Sequence, residues 1–360
     1  MKFAVLNDTH AGVRNDSIYF HEYQRRFYEE VFFPYCIEND IKHIVHLGDY
    51  FDKRTGINFL SLQRNKEHFI EHLLKNDMTM DLTLGNHDLY YKNTSEVNSC
   101  DALLNYDNIT IYKDTITKDY DGLKICLIPW IHKNNLEDTM EHLQFTDGQI
   151  AMGHLEIEGA IMMPGYYSSH GTSKETFKRF EHVYSGHFHT GSTMDNITYL
   201  GSQMEFTWSD YGDTKGFHIF DTDTREMKKI VNPIRMFEKI FYDDSKLTQE
   251  EILAMDFSHL KGMFTKVIVI NKENPYWFDL FIERLGKADV IDFKVVEDHG
   301  NLGDMSDEDM AQDAEDTLTI LSKHIESMEI SQDKEKLQNI IRSLYTVSYT
   351  HLRAHETKSY

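Results

Sequence analysis

Ile44-Val45-His46-Leu47-Gly48-Asp49-Tyr50-Phe51-Asp52 passes directly from an apolar run of the kind expected for a buried strand into a glycine and two carboxylates. Side chains placed there stand where a strand ends and a loop begins, the edge at which α/β sheets build their sites. The pattern recurs. FAVLN at residues 3–7 leads into Asp8-Thr9-His10, and LTL at 82–84 leads into Gly85-Asn86-His87-Asp88. IAM at 150–152 leads into Gly153-His154, and HVYS at 182–185 leads into Gly186-His187-Phe188-His189. A single block of this sort is more simply a helix cap or a satisfied core histidine. Five in one order, each carrying metal-ligand residue types, are not explained that way.

The residue types fit a centre for two divalent ions acting on a phosphoester. Such ions, roughly 3.5–4 Å apart, clamp the attacking and leaving oxygens of an in-line displacement and lower the pKa of a bound water. One carboxylate must bridge them, and Asp49 is the best candidate. Asp8 belongs to a separate block with His10, and Asp52 lies a turn further on. With Asp8 and Asp49 as the anionic ligands, and imidazoles and the neutral Asn86 carbonyl as the rest, the pair keeps a positive charge that attracts phosphate.

These five blocks resemble those of the calcineurin-like metallophosphoesterases. GDYFDKR (48–54), GNHDLYYKN (85–93), LIPW (127–130), SHG (169–171) and SGHFHTG (185–191) resemble more closely the SbcD-type nuclease subunits, and more closely still the recombination endonuclease subunits of tailed phages. The similarity extends from Met1 to about Tyr345. It implies an α/β fold: a metallophosphoesterase β-sandwich flanked by helices, with a small α/β cap domain and C-terminal helices. It assigns Asp8, His10, Asp49 and His189 to one metal, and Asp49, Asn86, His154 and His187 to the other. His87 then faces the scissile phosphate, stabilising its charge or protonating the leaving oxygen. Asp52 matches a position where some relatives carry a histidine linked to exonuclease action; the plainer role is to orient a ligand imidazole. Manganese is the metal the family implies, although the donor set also suits iron or zinc. A homodimer through helices of the catalytic domain is likewise implied.

Composition sets the bounds. The 360 residues allow one large domain and an appendage. Cys36, Cys100 and Cys126 are widely spaced, which suits a reducing interior and gives no disulfide framework. No apolar run approaches the ~18 residues of a membrane span, and the N-terminus enters a strand without a signal-like region. A soluble protein of the cytoplasm is expected, the host cytoplasm if the chain is phage-encoded. The formal charge of −23 is the reverse of a self-sufficient DNA binder. Local basic groups, Lys53 and Arg54 or Lys174, Lys178 and Arg179, are the candidates to touch DNA. A partner would supply much of the general affinity, although for any single one of these groups an ordinary solvated surface is the simpler reading.

Along the chain, residues 1–232 alternate strand-like runs with amphipathic helices, one carrying Phe20, Tyr23, Phe27 and Val31 as a core stripe and another near Leu60 to Leu74. This is the expected nuclease domain. Residues 233–297 contain MFTKVIVIN, YWFDLFIERLG and DVIDFKVVE, read as strand, helix, strand: the α/β cap, which in the resembled nucleases helps to position DNA. Glu297 to Asp316 holds nine Asp or Glu and no Lys or Arg, so residues 298–316 read as an acidic linker. Leu318, Leu321, Ile325, Met328, Leu337, Ile340, Ile341 and Leu344 predict two short amphipathic helices within 317–346. The resemblance implies that they dock on the coiled coil of an SMC-like ATPase subunit; packing back onto the cap is the alternative. Residues 347–360 break the pattern and the resemblance, and read as a non-native tail whose His351 and His355 are not ligands.

A metal-dependent DNA exonuclease/endonuclease acting in recombination, repair or replication is therefore the expected activity. Another superfamily enzyme, a protein phosphatase or phosphodiesterase, is the first alternative. The GNHD and GDYFDKR blocks depart from the phosphatase patterns GNHE and GDxVDRG. A non-catalytic scaffold, the third reading, usually loses ligands, and this chain keeps every one. No GxxxxGK[ST] is present, so ATP dependence would come from the partner.

Overall fold

The computed structural model describes residues 1–163 and 166–297. The expected linker, terminal helices and tail lie outside the described residues. The fold is mixed α/β. Two six-stranded sheets carry it, each with a parallel centre; the first has antiparallel pairing at one edge and the second at both. The first runs in the order Glu226–Val231, Gly216–Asp221, Lys2–Leu6, His43–His46, Thr79–Thr83, Ile109–Tyr112. The second runs Ser192–Met194, Ile197–Tyr199, His182–Gly186, Ile150–His154, Leu123–Ile128, Ile116–Tyr120.

The period-two geometry of strands explains the layering. Phe3 and Val5 join Val45, Leu47, Ile125, Leu127, Ile150 and Met152 in a core between the sheets. Ala4 and Leu6 face the other way, onto Phe27, Phe32 and Phe69 of two long helices. The first of these spans residues 18–38. Pro34 has no N–H to donate to residue 30, and over Phe27–Phe32 just before it the helix widens by one residue per turn. Its stripe behaves as read: Phe20, Tyr23 and Phe27 are buried and Val31 packs at the edge. The second helix covers residues 59–75, buries Phe69, Ile70 and Leu73, and leaves Leu60 and Leu74 toward solvent. A third layer, with Leu143, Phe177 and Phe180, covers the outer face of the second sheet.

Beyond the sandwich lies a three-stranded parallel sheet, Phe237–Asp243, Phe264–Asn271 and Asp292–Val296, with the middle strand central. Helices Gln249–Ala254 and Pro275–Gly286 bury Ile252, Phe278, Phe281 and Leu285 against it. Each starts on a polar cap: Thr248 and Glu251 cap one reciprocally, and Asn274 accepts from Trp277 N–H in the other. The strand Phe237–Asp243 and helix Gln249–Ala254 were not anticipated. Their apolar residues are interleaved with charges in a half-exposed edge strand, which blurs the pattern. The module is joined to the sandwich by Glu205, which accepts from Met236 and Phe237 N–H at 2.7 and 3.1 Å, and by Tyr23, whose Oη donates to the Gly262 carbonyl at 2.7 Å. No helix among the described residues is long and apolar enough to cross a membrane.

Candidate metal centre

Five parallel strands deliver the five blocks to one edge of the sandwich. Asp8 and His10 follow Lys2–Leu6, Asp49 follows His43–His46, and Asn86 follows Thr79–Thr83. His154 ends Ile150–His154, and His187 and His189 follow His182–Gly186. The first three blocks come from the first sheet and the last two from the second. The chain turns abruptly at these points. Asp8, His10, Asp49 and His187 all have left-handed backbone, with φ of 49°, 44°, 54° and 87°, a conformation that side chains disfavour and that clusters at functional sites. Glycines make room: a Cβ on Gly85 would lie 2.1 Å from Asp49 Oδ1, and one on Gly48 would lie 2.6 Å from Gly85 N.

Two clusters result. In one, His10 Nε2 and His189 Nε2 face each other at 3.1 Å, with Asp8 Oδ1 3.9 Å from the first and 4.0 Å from the second. In the other, Asn86 Oδ1 sits 3.0 Å from His154 Nε2 and 3.1 Å from His187 Nδ1. Asp49 Oδ2 lies between them, 3.2 Å from His154 Nε2 and 3.9 Å from His10 Nε2. All seven expected ligand residues therefore converge. His154 Nδ1 donates to the Leu47 carbonyl at 2.8 Å, which leaves the Nε2 lone pair aimed inward. Facing imidazole nitrogens beside carboxylate and amide oxygens are acceptors without protons to share, and such a donor set fits divalent cations.

In the metal-free chain the ligand imidazoles divide, and a metal at His154 would have to displace a proton. Burial holds the His10 and His187 imidazoles well below their ordinary values. Burial also opposes charge on His154, but Asp49 outweighs it and raises this imidazole to about 9. Asp49 stays ionised against its burial because His154 and His87 surround it.

His87 lies outside these two clusters, although with His10 and Asp52 it makes a third group close enough to hold a cation. Its N–H donates to Asp49 Oδ1 at 2.8 Å and its Nδ1 donates to the Asp52 carbonyl at 2.6 Å, leaving Nε2 as the free end. Burial works against its charge, and Asp49 with the Asp52 carbonyl reverses this, so His87 titrates above the ordinary histidine range. Asp52 also brings a carboxylate oxygen within 3.5 Å of His10 Nδ1. It thus touches two histidines, one through its backbone and one through its side chain.

The basic candidates divide. Arg54 is half-buried and its charge bears on His87. Lys53 pairs with Asp16 at 2.8 Å. Lys174 pairs with Asp195 and Lys178 with Glu175 on the surface. The Arg179 guanidinium donates to the Leu143, Gln144 and Thr146 carbonyls at the end of helix Leu136–Phe145, a C-capping task.

Sequence reading missed several parts of the centre. Asp88 accepts four backbone N–H groups, from Asp49, Tyr50, Phe51 and Gly85 at 2.8–3.2 Å, and so clasps the Asp49 loop to the Asn86 loop. Trp130 walls His187 at 5.0 Å between ring centroids, and Phe206 walls His10 and His189 at 5.5 and 5.3 Å. The aspartate closing GNHD and the tryptophan of LIPW were visible signals without an assigned task.

This fold and edge define a metal-dependent phosphoester hydrolase. The family model for calcineurin-like phosphoesterase matches residues 1–191, and the chain belongs to that family. It is 30% identical over 349 residues to exonuclease subunit 1 of Enterobacteria phage T4, covering 96% of this chain and 98% of that protein. It is 25% identical over 128 residues to the SbcD component of nuclease SbcCD from Staphylococcus epidermidis, covering 32% of this chain and 34% of that protein. Against a dimetal phosphatase from Danio rerio the TM-score is 0.41 at 10% identity, over 65% of this chain and 97% of that one.

Proposed function

We propose that the chain is a two-metal DNA nuclease, with exonuclease and endonuclease action, that works with an SMC-like ATPase subunit in DNA recombination or repair. The observation that carries this reading is the full convergence of Asp8, His10, Asp49, Asn86, His154, His187 and His189 beside an unliganded His87. The relatives named as nuclease subunits support DNA as substrate and a partner chain. Asp8, His10, Asp49 and His189 would hold one ion, and Asp49, Asn86, His154 and His187 the other; manganese suits both donor sets. When bound, the two ions supply Lewis-acid stabilisation of charge at phosphorus.

The chain's own groups do the rest. Asp49 spans both positions. His87, fixed by Asp49 and the Asp52 carbonyl, presents Nε2 to the phosphate and carries a proton toward the leaving oxygen. Asp52 orients His87 and His10. Arg54 and Lys53 flank this edge and meet the DNA backbone, while residues 233–297 form a cap that positions the duplex. Residues 317–346, reached through the acidic linker at 298–316, bind the ATPase coiled coil, and helices of the catalytic domain form a homodimer contact.

The deciding experiment is a metal-dependence assay on plasmid, linear duplex, single-stranded DNA and a small aryl phosphodiester. DNA cleavage with added manganese, abolished by chelator, is the expected result. Hydrolysis of the aryl ester without DNA cleavage, with or without a cognate ATPase, overturns the nuclease reading in favour of another phosphodiesterase.

A further inference from the structure

Lys215 is only 4% exposed, at the entry to the strand Gly216–Asp221 of the first sheet. Its Nζ donates to the His189 carbonyl at 2.7 Å, to Asp210 Oδ1 at 2.7 Å and to Asp213 Oδ2 at 3.0 Å, one acceptor for each N–H. His189 belongs to the turn after His182–Gly186, in the second sheet. The ammonium therefore ties the ligand turn of one sheet to the edge of the other.

The neighbouring contacts serve the same turn. The His189 carbonyl also accepts from Ser202 N–H at 3.0 Å, and a Cβ on Gly201 would come within 3.0 Å of it. Asp210 accepts from Phe206 N–H at 2.9 Å, and the Phe206 ring lies against His189 and His10. Lys215 and Asp210 thus hold both the main chain of His189 and the aromatic wall beside its imidazole. Stability alone does not require a buried ion pair, since well-packed apolar groups usually serve as well. An apolar side chain cannot donate three directed hydrogen bonds, one of them to a ligand residue's carbonyl.

We propose that Lys215 is a positioning residue for the metal position formed by Asp8, His10, Asp49 and His189, and that it sets the affinity of that position by fixing His189 across the two sheets. The inference rests on the ligand assignment proposed above. Partners that hydrogen-bond a metal's ligand side chains alter affinity by about 10- to 100-fold, and Lys215 acts on the ligand residue through its main chain.

The test is a calorimetric manganese titration of the metal-free full chain, its Lys215→Met and Lys215→Arg variants, and a Lys215→Met/Asp210→Asn double variant that strands no buried carboxylate. His189→Ala marks which of two binding events belongs to this position. The expected result is two ions in the parent and an event weakened by about 10- to 100-fold in both Lys215→Met chains. The other event stays within about twofold, and Lys215→Arg recovers most of the loss. Two equally weakened events with a lowered Tm, or two unchanged events, overturn the positioning role while leaving the ligand assignment intact. Fewer than two ions in the parent overturns both.

Discussion

At the scale of single residues, the proposed assignment separates groups that hold metal from a group that acts on substrate, and the two kinds should fail differently. His87→Ala removes an Nε2 that belongs to neither ligand cluster. It is expected to lower DNA cleavage by about 10²- to 10⁴-fold while two ions remain bound. Asp49→Ala removes the carboxylate common to both clusters and should lose metal together with activity. Metal content measured on both proteins decides the matter, and a lost ion in the His87 variant sinks the role given to it. Gly85→Ala makes a sharper claim. The added methyl meets backbone and carboxylate atoms of Asp49 at 2.1–2.8 Å, so a one-carbon change should disable metal binding as Asp49→Ala does. Near-normal manganese affinity in Gly85→Ala would show that the Asp49 loop yields more readily than its clasp by Asp88 implies.

At the scale of elements, the strand ends were legible because an apolar run followed by a polar block leaves a local trace. The candidate ligand set could therefore be written down before any contact was known. What joins distant elements left no such trace. Asp88 clasps a loop nearly forty residues away, Lys215 reaches a turn in the other sheet, and Asp81 sits inside the sandwich with partners from three strands. Asp81 is 2% exposed and is bonded by His43, Lys118, Tyr112 and Tyr120. Burial pushes its carboxyl up, but the hydrogen bonds from His43, Lys118 and Tyr120 prevail and hold it at about 2, below the ordinary 3.8. A depressed carboxylate stabilises the fold fully above its unfolded pKa and loses that contribution as pH falls through the folded one, a difference of about 2.5 kcal/mol. Asp81→Ala should lower stability by about 3 kcal/mol at neutral pH and flatten the acid limb of the stability curve between pH 4 and 2, as followed by urea unfolding. An acid limb unchanged from the parent's would show that the network does not govern it.

For the whole molecule, a net charge of −23 sets the proposed nuclease against its own substrate. Removing everything after Gly303 should abolish capture by the ATPase partner yet leave manganese-dependent cleavage of short DNA, because every ligand lies before residue 190. Removing only residues 347–360 should change neither. Pull-down and nuclease assays on the two truncations locate the boundary, and catalytic collapse in the longer one places it wrongly. The sandwich itself has a further property. Its candidate ligands are drawn from two separate sheets, so two bound ions would act as rivets through both halves at one edge. Ions that bind only the folded chain stabilise it in proportion to the logarithm of their free concentration, by about 2.7 kcal/mol per site at a hundred times the dissociation constant. The supply of free divalent metal would then govern how long each molecule survives proteolysis, and metal starvation would thin the population of the enzyme before it slowed any single copy.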